Sequence, residues 1–222
     1  MGKFPIPDPN SLDEADRRRG DYVLARDRRR FYSLNDASEP YEVAALLHAW
    51  LQSPKMGFFW ARLGDVFMTG ESRGTYTNHD RELVDQVLAR ELDTLIAYGH
   101  MSDAVGVGIS AGDISAILEG RYQDLSPEDC FMAQYIAAVA GGSLDERQFH
   151  DLVARRDRKT AVEYTLLVCY KIALMRSLQA LYAAQGIAED KQSATELLAA
   201  LNQGRGKISP YDRGNSWVEE PD

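Results

Sequence analysis

Glu82 and His100 are the two residues of this 222-residue chain whose types best suit proton transfer. An imidazole exchanges protons near neutral pH, and a carboxylate beside it fixes its tautomer and raises its basicity. An unbroken helix rising about 1.5 Å per residue would hold the two side chains about 27 Å apart. The chemistry therefore requires the chain to fold back between them. Leu92-Asp93-Thr94 offers the break, because Asp93 and Thr94 can cap a new helix and compete with the backbone inside an old one. Each residue also has a purely structural reading. His100 can be a core ring satisfied by a helix carbonyl, and Glu82 a first-turn acid that favours the helix dipole and pairs with Arg81.

Two helices are expected to carry the pair. The first shows an apolar stripe at Val84, Leu88, Leu92 and Leu95 with a second row at Leu83 and Val87, leaving Arg81, Asp85 and Arg90 for its wetter faces. In the second, Ile96, His100, Ala104 and Gly108 share one face, and the small residues allow close helix approach. Three neighbours are candidates for substrate contact. Tyr98 can donate to an oxyanion or simply pack, Arg73 can clamp a carboxylate through its planar fork or stay solvated in its loop, and Trp60 can line a pocket or the core.

Helix boundaries are legible elsewhere. Ser110-x-x-Asp113, Ser126-Pro127-Glu128-Asp129, Ser143-x-x-Glu146 and Ser193-x-x-Glu196 read as helix starts, and Gly120 and Gly186 as exits. Helices are also expected from about Pro40 to Gln52 and from Lys55 to Val66, with a loop over Thr69 to His79. With no run of alternating strand residues, the fold class is all-α. Residues 1–37 read as a polar arm whose Arg17-Arg18-Arg19 and Arg28-Arg29-Arg30 are offset by nearby acids. Residues 38–204 make a helical domain, and residues 205–222 a tail that Tyr211 and Trp217 can anchor on a neighbour.

A net charge of −9 argues against general affinity for nucleic acid or anionic membranes. Thr160 to Ala184 has the length of a membrane span, but Glu163, Lys171 and Arg176 interrupt it and point to a core helix. The two cysteines, Cys130 and Cys169, and an N-terminus without a charged-then-apolar leader suggest a cytoplasmic protein. His-Glu-x-x-His, cysteine clusters, acidic calcium loops, P-loops and dinucleotide glycine signatures are all missing, so no metal and no cofactor is expected. His48, among Leu46, Leu47, Trp50 and Leu51, reads as packed or partly exposed, His79 as part of a cap-like loop and His150 as lying on a polar helix.

Arg81-Glu82-Leu83, His100 followed by Ala104 and Gly108-Ile109, Leu125-Ser126-Pro127-Glu128 and Phe149 together resemble the carboxymuconolactone decarboxylase-like proteins. Ser53-Pro54, Trp60 and Leu63-Gly64 look like that family's leading helix, and the resemblance spans about residues 44 to 185. It implies the helical fold of alkyl hydroperoxidase D, a trimer or hexamer, and a small-molecule substrate. The redox Cys-x-x-Cys of the peroxidase branch is replaced by Asp93 and Ile96, and the Tyr-Glu-Trp run of the decarboxylase branch by Leu95, Ile96 and Ala97. The resemblance therefore implies a lyase or isomerase that moves protons without a cofactor on a carbonyl, lactone or carboxylated substrate, with His100 and Glu82 as its acid–base pair. A catalytically silent helical oligomer that binds a ligand or partner is the alternative. A peroxidase without a dithiol is the third reading, disfavoured because exchange needs two thiols within bonding reach.

Overall fold

The computed structural model describes residues 4–32, 45–69, 75–94, 100–187 and 191–205. Ten α-helices and two short 3₁₀ turns account for their regular structure, and there is no strand among the described residues. Two compact units form. One takes the described parts of Met1–Glu71 and Ala180–Ala188, the other those of Ser72–Gln179 and Glu189–Tyr211.

The first unit contains α1 (Glu14–Tyr32), α2 (Ala45–Leu51) and α3 (Pro54–Thr69). Although residues 1–37 read as an arm, α1 buries Tyr22 and Val23 in its own chain. The Tyr22 hydroxyl donates to Asp65 of α3 at 2.6 Å, and its ring meets Phe58 edge-on at 4.9 Å. The arginine triplets dominate the composition of this stretch and hide its apolar row. Gly57 lets α3 start against the end of α2, because a Cβ there would stand 2.8 Å from the Trp50 backbone oxygen. His48 is half-buried, with Nδ1 2.7 Å from the Phe4 carbonyl.

The second unit is built around α4 (Asn78–Glu91). Thr77 caps it in a reciprocal box with Asp80, a start that the loop composition before it concealed. Every residue from Asp80 to Ala89 is buried, so the expected wet faces at Arg81 and Asp85 do not exist and only Arg90 is exposed. The reason is that α4 is packed by α5 (Met101–Gly106), α6 (Ala111–Leu118) and α7 (Pro127–Gly141), while α9 (Arg158–Ala184) covers it with Lys171. Lys171 Nζ lies 2.7 Å from Asp85 Oδ2, both nearly without solvent exposure. Buried charges persist when paired in this way.

The expected break after Leu92 is present. Asp93 there takes a left-handed conformation (φ 46°), and Thr94 N–H returns to the Ala89 carbonyl at 2.9 Å, closing α4. The new helix that Asp93 or Thr94 was expected to cap falls on residues outside those described. Leu95, Ile96 and Tyr98 lie outside the described residues. The next described helix, α5, begins after His100 and ends before Gly108, whose φ of 97° places it in the turn to α6. The single face expected to run from Ile96 to Gly108 therefore stops at the buried Ala104.

Ser110 and Asp113 form the capping box that opens α6, and Ser126 with Pro127 opens α7. Gly120 and Gly186 have the positive φ of helix exits. Two other starts differ from expectation. α8 (Glu146–Arg155) is boxed by Asp145 and Gln148, a pair two residues later than Ser143 and Glu146. α10 (Lys191–Asn202) already contains Ser193, which is therefore no cap. By length and composition alone α9 could cross a membrane. In this unit its Thr160, Ala161, Tyr164, Leu167, Val168, Lys171, Met175 and Leu178 are buried.

Candidate acid–base site

The fold-back brings Glu82 of α4 beside the first turn of α5. His100 occupies the cap position of α5 without a side-chain capping bond, so its ring is not used to hold the helix. Nδ1 lies 3.0 Å from Asp103 Oδ2 and 3.7 Å from Glu82 Oε2. The carboxylates are almost fully buried, with 1% exposure for the Glu82 side chain and 6% for Asp103, whereas the ring is 34% exposed. Arg81 Nη2 stands 3.8 Å from the other Glu82 oxygen, Oε1, and is itself buried. A carboxylate held by a cation on one side thus faces an imidazole on the other.

The arrangement has a chemical consequence. A ring Nδ1–H that donates to Asp103 leaves the lone pair on Nε2, and an adjoining carboxylate stabilises the imidazolium formed when Nε2 takes a proton. The ring itself is partly open to solvent. The three groups offer donor atoms within 4.8 Å of one another, an arrangement that can also accept a metal ion. The sequence expectation of no metal rested on motif spacing, which does not register a trio assembled across a turn.

Asp103 was missed by sequence reasoning. The signal was present as His100-x-x-Asp103, one turn apart at a helix start, but attention to a four-residue apolar row passed over the three-residue partner. Gln86, one turn beyond Glu82 on α4, is fully buried, and neither atom of its amide has a hydrogen-bond partner among the described residues. Of the expected substrate contacts, Arg73 and Tyr98 lie outside the described residues. Trp60 is half-buried on α3 and belongs to the first unit, whereas Glu82, His100 and Asp103 belong to the second.

A second polar cluster secures the start of α4. His79 is its second residue and not part of the preceding loop, and its Nε2 meets Asp129 of α7 at 2.8 Å while Nδ1 faces the Val107 carbonyl at 3.3 Å. Both ring nitrogens face acceptors, which suits the imidazolium. The hydrogen bond to Asp129 raises the His79 pKa despite burial, and the same bond lowers that of Asp129. Nearby, Arg156 bridges Asp80 at 3.2 Å and Glu128 at 2.9 Å, and the Tyr164 hydroxyl donates to the Asp80 carbonyl at 3.3 Å. Burial pushes the Tyr164 phenol well up.

A cleft of about 460 Å³ lies against α7 and α8, lined by residues including Phe131, Tyr135, Asp145, Arg147 and Gln148 and by none of the acid–base trio. His150 is exposed on α8. Cys130, half-buried on α7, and Cys169, exposed on α9, are free thiols. What the fold and site define is an all-α protein with an imidazole set between two buried carboxylates. No protein-family description matches this chain, nor does any curated protein or solved structure.

Proposed function

We propose that the protein is a small-molecule enzyme of the carboxymuconolactone decarboxylase-like class, with an alkyl hydroperoxidase D-like architecture, in which His100 transfers protons on a carbonyl, lactone or carboxylated substrate. The observation that carries this reading is the position of His100, partly exposed, with Nδ1 at 3.0 Å from Asp103 and 3.7 Å from Glu82. In an isomerisation, Nε2 removes a proton next to a carbonyl and returns it at another carbon. The imidazolium between these steps is stabilised by both carboxylates. In a decarboxylation, the carbon–carboxylate bond breaks to give carbon dioxide and an enolate, and the protonated ring supplies the proton that the enolate carbon takes up. Asp103 acts as a positioning residue through Nδ1, and Glu82 as the second acid, held on its far oxygen by Arg81.

Arg73 and Tyr98 keep the substrate-contact roles that their side chains suggest. A homo-oligomer acting in the cytoplasm completes the proposal, supported by the same resemblance and by the acidic composition. The test is a panel of β-keto acids and carboxylated lactones assayed for carbon dioxide release and for deuterium uptake at carbon from heavy water. Turnover that falls at least about 100-fold in His100→Gln, with helicity retained, is expected. Turnover indifferent to His100→Gln would exclude the mechanism and leave a silent ligand-binding protein as the better description.

A further inference from the structure

We infer that Glu82, His100 and Asp103 form a site for one divalent first-row transition ion, which competes at Nδ1 of His100 with the proton that ties the ring to Asp103 in the proposed acid–base reaction. The donor atoms all lie within 4.8 Å of one another. Nδ1 stands 3.0 Å from Asp103 Oδ2 and 3.7 Å from Glu82 Oε2. An ion with tetrahedral bonds of about 2.0–2.1 Å separates its ligands by about 3.4 Å, so these spacings bracket what such an ion requires.

Charge points the same way. Two carboxylates with almost no solvent contact, contributed by α4 and by the first turn of α5, face one ring nitrogen. Arg81 Nη2 lies toward Glu82 Oε1, while Oε2 faces the ring. A divalent cation between two carboxylates shielded from solvent is attracted by both. Gln86, one turn along α4 and fully buried with an unpartnered amide, adds a polar group to the same helix.

The donor set also selects the ion. An imidazole nitrogen among carboxylate oxygens suits zinc, manganese or iron, whereas magnesium and calcium take all-oxygen shells. Three protein ligands, one of them on a ring with 34% exposure, leave a coordination position for water or a small ligand. A cation on Nδ1 excludes a proton there, so the ion regulates the proposed proton transfer. Binding itself does not rest on that reaction and is measured without turnover.

The experiment is calorimetric titration of zinc chloride, and separately manganese chloride, into the chelator-treated full chain. One saturable ion per chain is expected, with affinity at least about tenfold weaker in Asp103→Asn and in His100→Ala. His150→Ala, on the exposed surface of α8, should leave binding unchanged. Glu82→Gln should weaken binding likewise, and should it fail to fold, judged by circular dichroism, the Asp103 and His100 variants carry the test. Absence of saturable binding by either ion, or equal binding in Asp103→Asn and His100→Ala, would overturn the inference while leaving the acid–base proposal standing.

Discussion

His100 presents Nδ1 to Asp103 at 3.0 Å, closer than to Glu82 at 3.7 Å, so the ring is oriented by the acid three residues later in its own helix and not by the acid across the turn. This ordering assigns different tasks to two carboxylates that composition alone would treat alike. Asp103→Asn should lower kcat by about 10- to 100-fold with little change in KM, because it disturbs the ring tautomer and leaves access to the site intact. Glu82→Gln should cost stability as well, since it removes the negative charge that faces the buried Arg81. Steady-state kinetics on the panel described above, alongside urea denaturation, separates the two. Equal kinetic defects with equal stability would contradict the division of roles.

The Asp85–Lys171 pair predicts a non-additive pair of substitutions. Lys171→Met alone removes the cation beside a carboxylate that is 2% exposed, and loss of one partner of a buried pair costs about 3–5 kcal/mol. Removing both charges, as Asp85→Leu with Lys171→Met, should recover most of that loss. Chemical denaturation of the two variants measures the coupling directly, and additive losses would show that the pair is not the unit that matters.

His79 and Asp129 give the fold a pH dependence whose sign can be worked out. The His79 pKa is raised above its ordinary 6.5, so its contribution is complete below that value and disappears as pH rises through the raised value. The Asp129 pKa is lowered from 3.8, so its contribution is complete above that value and disappears as pH falls through the lowered one. The pair is therefore strongest in the window between. Asp129→Asn should destabilise more at about pH 6 than at about pH 9, because the charged ring that Asp129 favours is lost as pH rises through the raised value. Urea midpoints at the two pH values test this, and a larger effect at the alkaline value would have the wrong sign.

Gly57→Ala should destabilise the first unit by about 1–3 kcal/mol, the range for forced overpacking, because the new methyl meets the Trp50 carbonyl and not a side chain that can turn away. Thr77→Ala should cost about 1 kcal/mol by opening the capping box of α4. Thermal melts provide both readings. An unchanged Gly57→Ala protein would show that α2 and α3 can separate at no cost.

Much of the site frame was legible because it depends on local signals. The break after Leu92, the caps at Ser110 and Ser126, and the meeting of Glu82 with His100 all follow from residues near in sequence. Where the answer lay far along the chain, the sequence misled. Arg81 and Asp85 look solvated by type, whereas Lys171, 86 residues beyond Asp85, pairs with it in the interior. The starts of α8 and α10 were misplaced because Ser143 and Ser193 stand close to better caps or inside a helix already begun, a competition that a spacing rule does not weigh. Asp103 escaped because His100 was read as an interior helical residue. At a cap position its partner is three residues on, and that one difference decides which acid holds the ring.

The tautomer of His100 tests the central claim most directly. Nitrogen-15 spectra of histidine-labelled, chelator-treated protein should show the neutral ring carrying its proton on Nδ1, with that preference lost in Asp103→Asn. A ring protonated on Nε2 in the wild-type protein, unaffected by Asp103→Asn, would mean that the lone pair points at a carboxylate and that His100 cannot be the base proposed for it.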